Sequence, residues 1–484
     1  MSEARKTAIF LTLAAAFLLL AWVSRPAGHD PIAVDDSGER FFREFDPLEA
    51  TSLEIIEFDE ETATRRVFQV AQQNGVWSIP SHENYPADAK NQLAEAAGGI
   101  VDLIKGPNIS DRPADHELYG VVDPTATDPG ATGVGTRVTL KNESADVLAE
   151  FIIGNQVKDR PELRYVRLPQ YDRVYTTKVS TDKLSTRFED WIEKDLLQLD
   201  PQTIVQVLVN NYSIDEINQV IRQGDRINLT FDDTDRVWSL EGHVEGETLA
   251  TEKLDDLKRA LDDLQIIDVH RKPAGLSGEL RAEDQLVLDA PAIRSLRARG
   301  YFVVGGRLLS NQGELIVSTK SGVQYVLRFG EIALGQPAPE PDPQASGADG
   351  ATTAPSGGAN RYLFVTARFN ADLIEKPDLE DLPEPTAPAE PDEADASQDE
   401  PPATEPDEPA EDQETRRIRQ ENDRKQAEYD RTLEAGRTRV RELNDRFADW
   451  YYVISDTVYT KIRLQRADVV KAAQDERVPT APGS

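Results

Sequence analysis

The stretch Gly75–Leu103, GVWSIPSHENYPADAKNQLAEAAGGIVDL, returns later in the chain as Arg236–Leu264, RVWSLEGHVEGETLATEKLDDLKRALDDL. No gap is needed to place Val76 on Val237, Trp77 on Trp238, Ser78 on Ser239 and His82 on His243. Leu93, Ile100 and Leu103 likewise fall on Leu254, Leu261 and Leu264. Each copy reads as a strand ending near its tryptophan, a polar loop, and a helix whose apolar residues recur at helical spacing. Similarity within one chain at long spacing signals a duplicated unit.

Working outward, Leu53–Phe58 and Arg66–Val70 are strands either side of the acidic turn Asp59–Thr64. Asn74-Gly75 turns the chain into Val76–Ile79. Pro86-Ala87-Asp88 opens the first helix and Gly106-Pro107 ends it. Arg137–Leu140, Ala149–Ile153, Arg164–Leu168 and Val174–Thr177 complete the first unit. In the second, Ile204–Val209, Ile227–Phe231 and Val237–Leu240 precede the helix Glu252–Leu264. Tyr301–Val304, Leu315–Ser318, Tyr325–Phe329 and Arg361–Val365 follow, then Trp450–Ile454 and Val458–Ile462, the last pair read as a terminal hairpin whose second strand echoes Val174–Val179. The less regular Leu276–Arg299 has no counterpart of its length in the first unit.

The pattern predicts an α+β fold: two related β-rich units, each an antiparallel sheet with one main helix, after a single N-terminal transmembrane helix. A disordered acidic insertion plus a charged helix interrupt the second unit. The expected division is an anchor at 1–26, a tether at 27–47 and the first unit at 48–200. The second unit takes 201–375 and 447–472, around a disordered acidic Pro-rich segment at 376–413 and a charged helix at 414–446; 473–484 form a disordered tail. No basic residue stands between Lys376 and Arg416, and such a segment cannot bury enough apolar surface to fold. The charged helix has no clear apolar seam and is expected to be solvated or partner-bound.

The 484 residues carry 54 basic and 88 acidic side chains, a formal charge of −34 that disfavours nucleic acid as a partner. There is no cysteine, which excludes thiolate nucleophiles, thiolate metal sites and disulfides. Residues 7–23, TAIFLTLAAAFLLLAWV, follow Arg5 and Lys6. At about 1.5 Å per residue this run just crosses a hydrocarbon core of about 30 Å. Its end, Trp22-Val23-Ser24-Arg25-Pro26, is a poor cleavage site. An uncleaved single-pass anchor in the cell inner membrane is expected, N-terminus cytoplasmic and the bulk of the chain periplasmic or extracytoplasmic.

Candidate site residues each have a plain structural alternative. His82 and His243 are either twin ligand contacts or loop residues near the helix start; the five histidines show no metal-binding spacing. Trp77 and Trp238 read as core anchors rather than a carbohydrate platform. Asp115-His116-Glu117 reads as a solvated turn rather than an acid–base cluster, and Asp88 as an early-helix charge. Gly305-Gly306 lacks the glycine fingerprint of a nucleotide site. No catalytic, cofactor-binding or metal-ligating residue is assigned, and no cofactor is expected.

Trp77–Pro80, the Tyr85–Asp88 helix start and Leu118–Pro124 (LYGVVDP), with Phe447–Ile454 and the N-terminal anchor, resemble the "domain of unknown function 4340" family of membrane-anchored bacterial proteins. These motifs are structural and carry over no active site. The second unit lacks the Tyr-Gly…Asp-Pro element. The resemblance implies an accessory envelope role beside an ABC-type permease and a gliding-motility auxiliary subunit. The expected function is a non-enzymatic accessory or scaffold protein. The alternatives are an envelope hydrolase or carbohydrate-acting enzyme with a carboxylate pair between the units, and a purely structural spacer.

Overall fold

Alternation of apolar and polar residues builds both sheets seen in the computed structural model. It describes residues 36–126, 128, 130–215, 220–282, 288–333, 359–382 and 413–472. The anchor run at 7–23 lies outside these, and no helix among the described residues is long and apolar enough to cross a membrane. The chain divides after Arg187, ahead of the expected boundary at 200/201.

The first unit has nine strands: β1 (Ala50–Asp59), β2 (Thr64–Gln73), β3 (Val76–Ile79), β4 (Tyr85–Pro86), β5 (Asn108–Ser110), β6 (Thr136–Asn142), β7 (Val147–Val157), β8 (Arg160–Arg167) and β9 (Val174–Thr177). They form one sheet in the order β4-β3-β2-β1-β6-β7-β8-β9-β5, every pair antiparallel. Helix α1 (Lys90–Val101) buries Leu93, Ala96, Ala97, Ile100 and Val101, and the one-turn helix α2 (His116–Tyr119) follows β5. Helix α1 stops short of Gly106-Pro107 because the next residues pair with the incoming chain: Phe41 N–H donates to Leu103 O, and Gly38 N–H to Lys105 O. The expected tether is therefore docked from Asp36 onward. The Asp36 carboxylate accepts from Lys105 Nζ at 2.7 Å and Tyr175 Oη at 2.8 Å, and Phe41 packs edge-on against Tyr175.

The second unit contributes β10 (Ile204–Asp215), β11 (Val220–Asp232), β12 (Val237–Leu240), β13 (Glu247–Leu249), β14 (Asp268–Arg271), β15 (Tyr301–Val304), β16 (Arg307–Ser310), β17 (Glu314–Thr319), β18 (Val323–Ala333), β19 (Asn360–Phe369), β20 (Trp450–Ser455) and β21 (Val470–Ala472). Its main sheet runs β12-β11-β10-β17-β18-β19-β20-β14. Apart from the two-residue β4, this is the strand order of the first sheet. Gln72 faces Trp77 as Phe231 faces Trp238, but the turn between those strands is longer in the second unit. The helix α3 (Thr251–Asp262) buries Leu254, Leu257 and Leu261 as predicted, and Ala260 besides; Leu264 is buried too but follows the helix, which ends two residues short of the expected Leu264.

Three expectations are corrected. Val458–Ile462 is not a strand: it lies in helix α7 (Asp456–Ile462), capped by the Ser455 hydroxyl on Thr457 N and burying Tyr459 and Ile462 three residues apart. The counterpart of Val174–Thr177 is β20, since β9 pairs with β5 as β20 pairs with β14. The charged helix, α6 (Gln413–Ala448), is not solvated throughout. Its C-terminal part buries Gly436, Val440, Leu443, Phe447 and Ala448, and the Asn444 amide bonds both the N–H and the C=O of Ala367 in β19. Residues 376–382, assigned to the disordered segment, lie along the same helix: Asn422 pairs with the backbone of Glu380, and Lys425 donates to Asp378 O at 3.0 Å.

Candidate functional site

The irregular stretch Leu276–Arg299 folds mostly as two short helices, α4 (Ala274–Ala282) and α5 (Ala290–Arg297). The Asp289 carboxylate caps α5 by accepting from Ala292 N at 2.8 Å. Ala292 and Leu296, four residues apart, turn inward onto a cluster with Leu276, Tyr301, Leu308, Phe364 and Tyr451. Ser295 meets Tyr451 Oη at 3.0 Å, and the Arg299 guanidinium lies 4.5 Å from the Tyr451 ring centroid. Gly300, at φ +81°, turns the chain from α5 into β15; a Cβ there would meet the Asn311 amide at 2.7 Å.

With the core-facing side of α5 so fixed, Ile293 and Arg297 are left facing outward. They line a groove of about 770 Å³ with Ile214, Val220 and Ile221 of the β10–β11 hairpin and with the successive residues Tyr301 to Gly305. Ile293, Val220, Ile221, Val303 and Val304 are between 36% and 52% exposed, so the groove presents apolar surface to solvent. Among its described lining residues only Arg297 and Tyr301 are titratable. The Tyr301 hydroxyl is buried, which pushes its pKa well above the ordinary phenol value, and it donates to Arg328 O at 3.4 Å. The lining can hold an apolar ligand, and its described residues contain no acid–base pair.

The residues singled out in the sequence do not converge. His82 Nδ1 lies 3.1 Å from Ser81 Oγ in the short helical turn Pro80–His82. His243 Nε2 meets Glu247 O at 3.1 Å, within its own loop. Asp115 accepts from Ser110, His116 meets Asp172 O, and Glu117 accepts from Thr132: three neighbours, three directions. Asp88 precedes α1 rather than lying in it. Trp238 is buried, packed on Phe231 with Lys258 Nζ 3.3 Å from the Phe231 ring centroid, so it offers no flat platform; Trp77 is half-buried. Burial holds the Lys258 pKa below the usual lysine value. Gly305-Gly306, at φ +59° and +76°, form the tight turn between β15 and β16. Among the described residues no group of three or more His, Asp or Glu is placed to hold a metal ion.

The Leu118–Pro124 motif is structural. The Tyr119 and Tyr165 rings pack tilted with centroids 4.6 Å apart, and Asp123 pairs with Arg137 at 2.9 Å. Burial works against the Asp123 carboxylate, but hydrogen bonds from Thr125 and the Arg137 charge hold its pKa below the ordinary range. A Cβ on Gly154 would meet Tyr119 O at 2.4 Å, and one on Gly330 would meet Arg299 O at 2.2 Å. Arg299-Gly300-Tyr301 thus occupies in the second unit the place of Tyr119-Gly120-Val121 in the first, although the two share only the glycine. What sequence reasoning missed is the groove, whose residues come from three separate elements; the departure of Leu276–Arg299 from the repeat was its one signal.

Residues 77–279 match the family model described as "Domain of unknown function (DUF4340)". The matched span contains Trp77 and Trp238 and ends ahead of Phe447–Ile454. No curated protein and no solved structure matches the chain.

Proposed function

We propose, from a chain that carries a DUF4340 domain at residues 77–279, a membrane-anchored, extracytoplasmic scaffold: a non-enzymatic accessory protein of an ABC-type, gliding-motility-like envelope complex. The binding role rests on one observation, the solvent-facing apolar groove between the β10–β11 hairpin, α5 and β15. Exposed apolar surface of this kind marks interaction sites in soluble domains. The apolar run at 7–23 supports the anchor, its basic N-side flank supports the orientation, and the family resemblance supports the transporter partner.

The two units are, on this reading, copies of one ancestral domain. The common order of eight strands and the matched close approaches at Gly154 and Gly330 support this. The first copy keeps the bare frame. The second carries α4, α5 and the β15–β16 hairpin, and with them the groove.

Photo-crosslinking in intact membranes tests the proposal. A crosslinker at Val304 or Ile221 should capture a transporter permease or auxiliary subunit, identified by mass spectrometry. One at Val147, exposed on the first unit, serves as the control. Recovery of no transporter component from the groove positions overturns the proposal.

A further inference from the structure

We propose that the edge of β15 left unpaired by any described strand takes an extended apolar segment of a partner protein, flanked by acidic residues, as an added strand. This rests on the binding role given to the groove above and specifies how the partner is held. The two-residue turn Gly305-Gly306 makes Val304 and Arg307 the closing pair of the β15–β16 hairpin. In an antiparallel ladder, pairs that exchange both hydrogen bonds alternate with pairs that exchange none. Val304 and Phe302 therefore spend their backbone groups on β16, while the N–H and C=O of Val303 point away from it. That outer edge faces the groove, because the groove touches every residue from Tyr301 to Gly305 and not alternate ones. Side chains alternate along a strand, so only an edge-on approach meets consecutive residues.

Exposed edges are usually blunted by lysine, proline or a bulge. The β15 edge is Tyr-Phe-Val-Val, with Val303 and Val304 exposed. Strand addition draws affinity from the main chain and specificity from apolar pockets beside it; here Ile221, Ile293 and Val220 form the opposing wall. Charge selects the occupant. Residues 288–310 hold four arginines and one carboxylate in a chain of net charge −34. Arg297 lines the groove, and Arg294 and Arg307 are exposed nearby in sequence. A second copy pairing β15 to β15 would bring two such arginine-rich rims together, and like charges across strands repel. The chain's own acidic residues 383–412 contain no apolar side chain larger than proline, and proline cannot donate to a ladder. A separate partner with acidic flanks meets both requirements.

Full-length protein in detergent, titrated into a fluorescent peptide of alternating valine and threonine with two glutamates at each end, provides the test. The glutamate-flanked peptide should bind and its lysine-flanked version should not; Arg297→Glu should reverse the preference. N-methylation at one alternate set of peptide residues should weaken binding roughly tenfold or more, through two lost main-chain hydrogen bonds, and at the complementary set should be tolerated. Val303→Pro, which removes the outward N–H without touching the β16 pairing, should match the damaging set. Equal effects of the two methylated sets, or no binding of the parent peptide, overturns strand addition. If the crosslinker at Val304 still captures a transporter subunit in that case, the scaffold reading stands and only this mode of contact falls. Peptide binding as expected with no such capture would support strand addition and overturn the transporter as its partner.

Discussion

Replacing Glu314 by glutamine should destabilise the second unit more than any surface change, and replacing Arg328 as well should undo much of that loss. Glu314 and Arg328 face each other across β17 and β18, with Arg328 Nε 3.2 Å from Glu314 Oε2 and their side chains 8% and 6% exposed. Arg328 Nε makes the approach without forming a hydrogen bond; a second guanidinium nitrogen, Nη1, donates to Thr366 Oγ1 at 3.3 Å. Burial lowers the Arg328 pKa from its ordinary value, and the Glu314 charge offsets part of this. Removing one member of a buried pair leaves an uncompensated charge, at a cost of about 3–5 kcal/mol. For a unit of this size, about 2–4 °C per kcal/mol gives a fall in its melting transition of roughly 6–20 °C. Substituting both partners with apolar residues is often neutral or stabilising, so Glu314→Leu with Arg328→Met should recover most of the loss. Differential scanning calorimetry reads both, with the first unit's transition as internal reference. A Glu314→Gln shift under about 2 °C, or a double variant worse than the single, would refute the reasoning.

Gly154→Ala and Gly330→Ala should each lower the transition of their own unit and spare the other, by about 1–3 kcal/mol of overpacking, measurable in urea. Leu443→Ala in α6 should cost about 2–5 kcal/mol, whereas Arg431→Ala on its exposed stretch should stay within about 0.5 kcal/mol. Tyr175 has its pKa pushed up to about 12, by burial first and then by the Asp36 carboxylate that accepts its proton. The folded state therefore holds that proton after the unfolded chain has lost it, and the contribution present below pH 10 disappears as pH rises to about 12. Amide exchange at Gly38, Phe41 and Lys105 should accelerate across that window more than second-order base catalysis explains, and Tyr175→Phe should remove the excess. Asp36 behaves in the opposite sense. Burial raises its pKa, but the Lys105 and Tyr175 hydrogen bonds prevail and hold it below 3.8, so docking of residues 36–41 should weaken as pH falls through that lowered value.

Local pattern carried most of the fold. Hairpins with strong turn residues, such as Asn74-Gly75, and helices with apolar residues at i, i+3 and i+7, such as Leu254, Leu257 and Leu261, are written within a few residues of sequence. Val458–Ile462 misleads because Val-Tyr-Thr has strand propensity, and its helical fate is settled by a serine cap and by the packing of Tyr459 and Ile462. The buried face of α6 is hidden by averaging: Val440, Leu443 and Phe447 keep helical spacing, but the long charged stretch before them dilutes it. The docking of Asp36 depends on Lys105 and Tyr175, 69 and 139 positions away, and no window of sequence contains that contact. The groove was illegible for the same reason, being formed by β10–β11, α5 and β15 from separate parts of the chain.

The late arrival of β20 has a consequence for how the second sheet is assembled and how its intervening chain is free to change. Its partner β14 pairs Asp268 with Val453, whereas the corresponding pair in the first unit is Asn108 with Tyr175. Closing the longer connection costs only roughly 0.9 kcal/mol more, because loop entropy grows with the logarithm of length. The search time rises more steeply than the free energy, since long-range pairing slows folding. The first sheet can close once residue 177 has emerged, while the second waits for residue 455. Lengthening or shortening the acidic run before α6 should therefore barely change the final stability, so evolution can alter its length freely while Leu443, Asn444 and Phe447 stay pinned to the sheet.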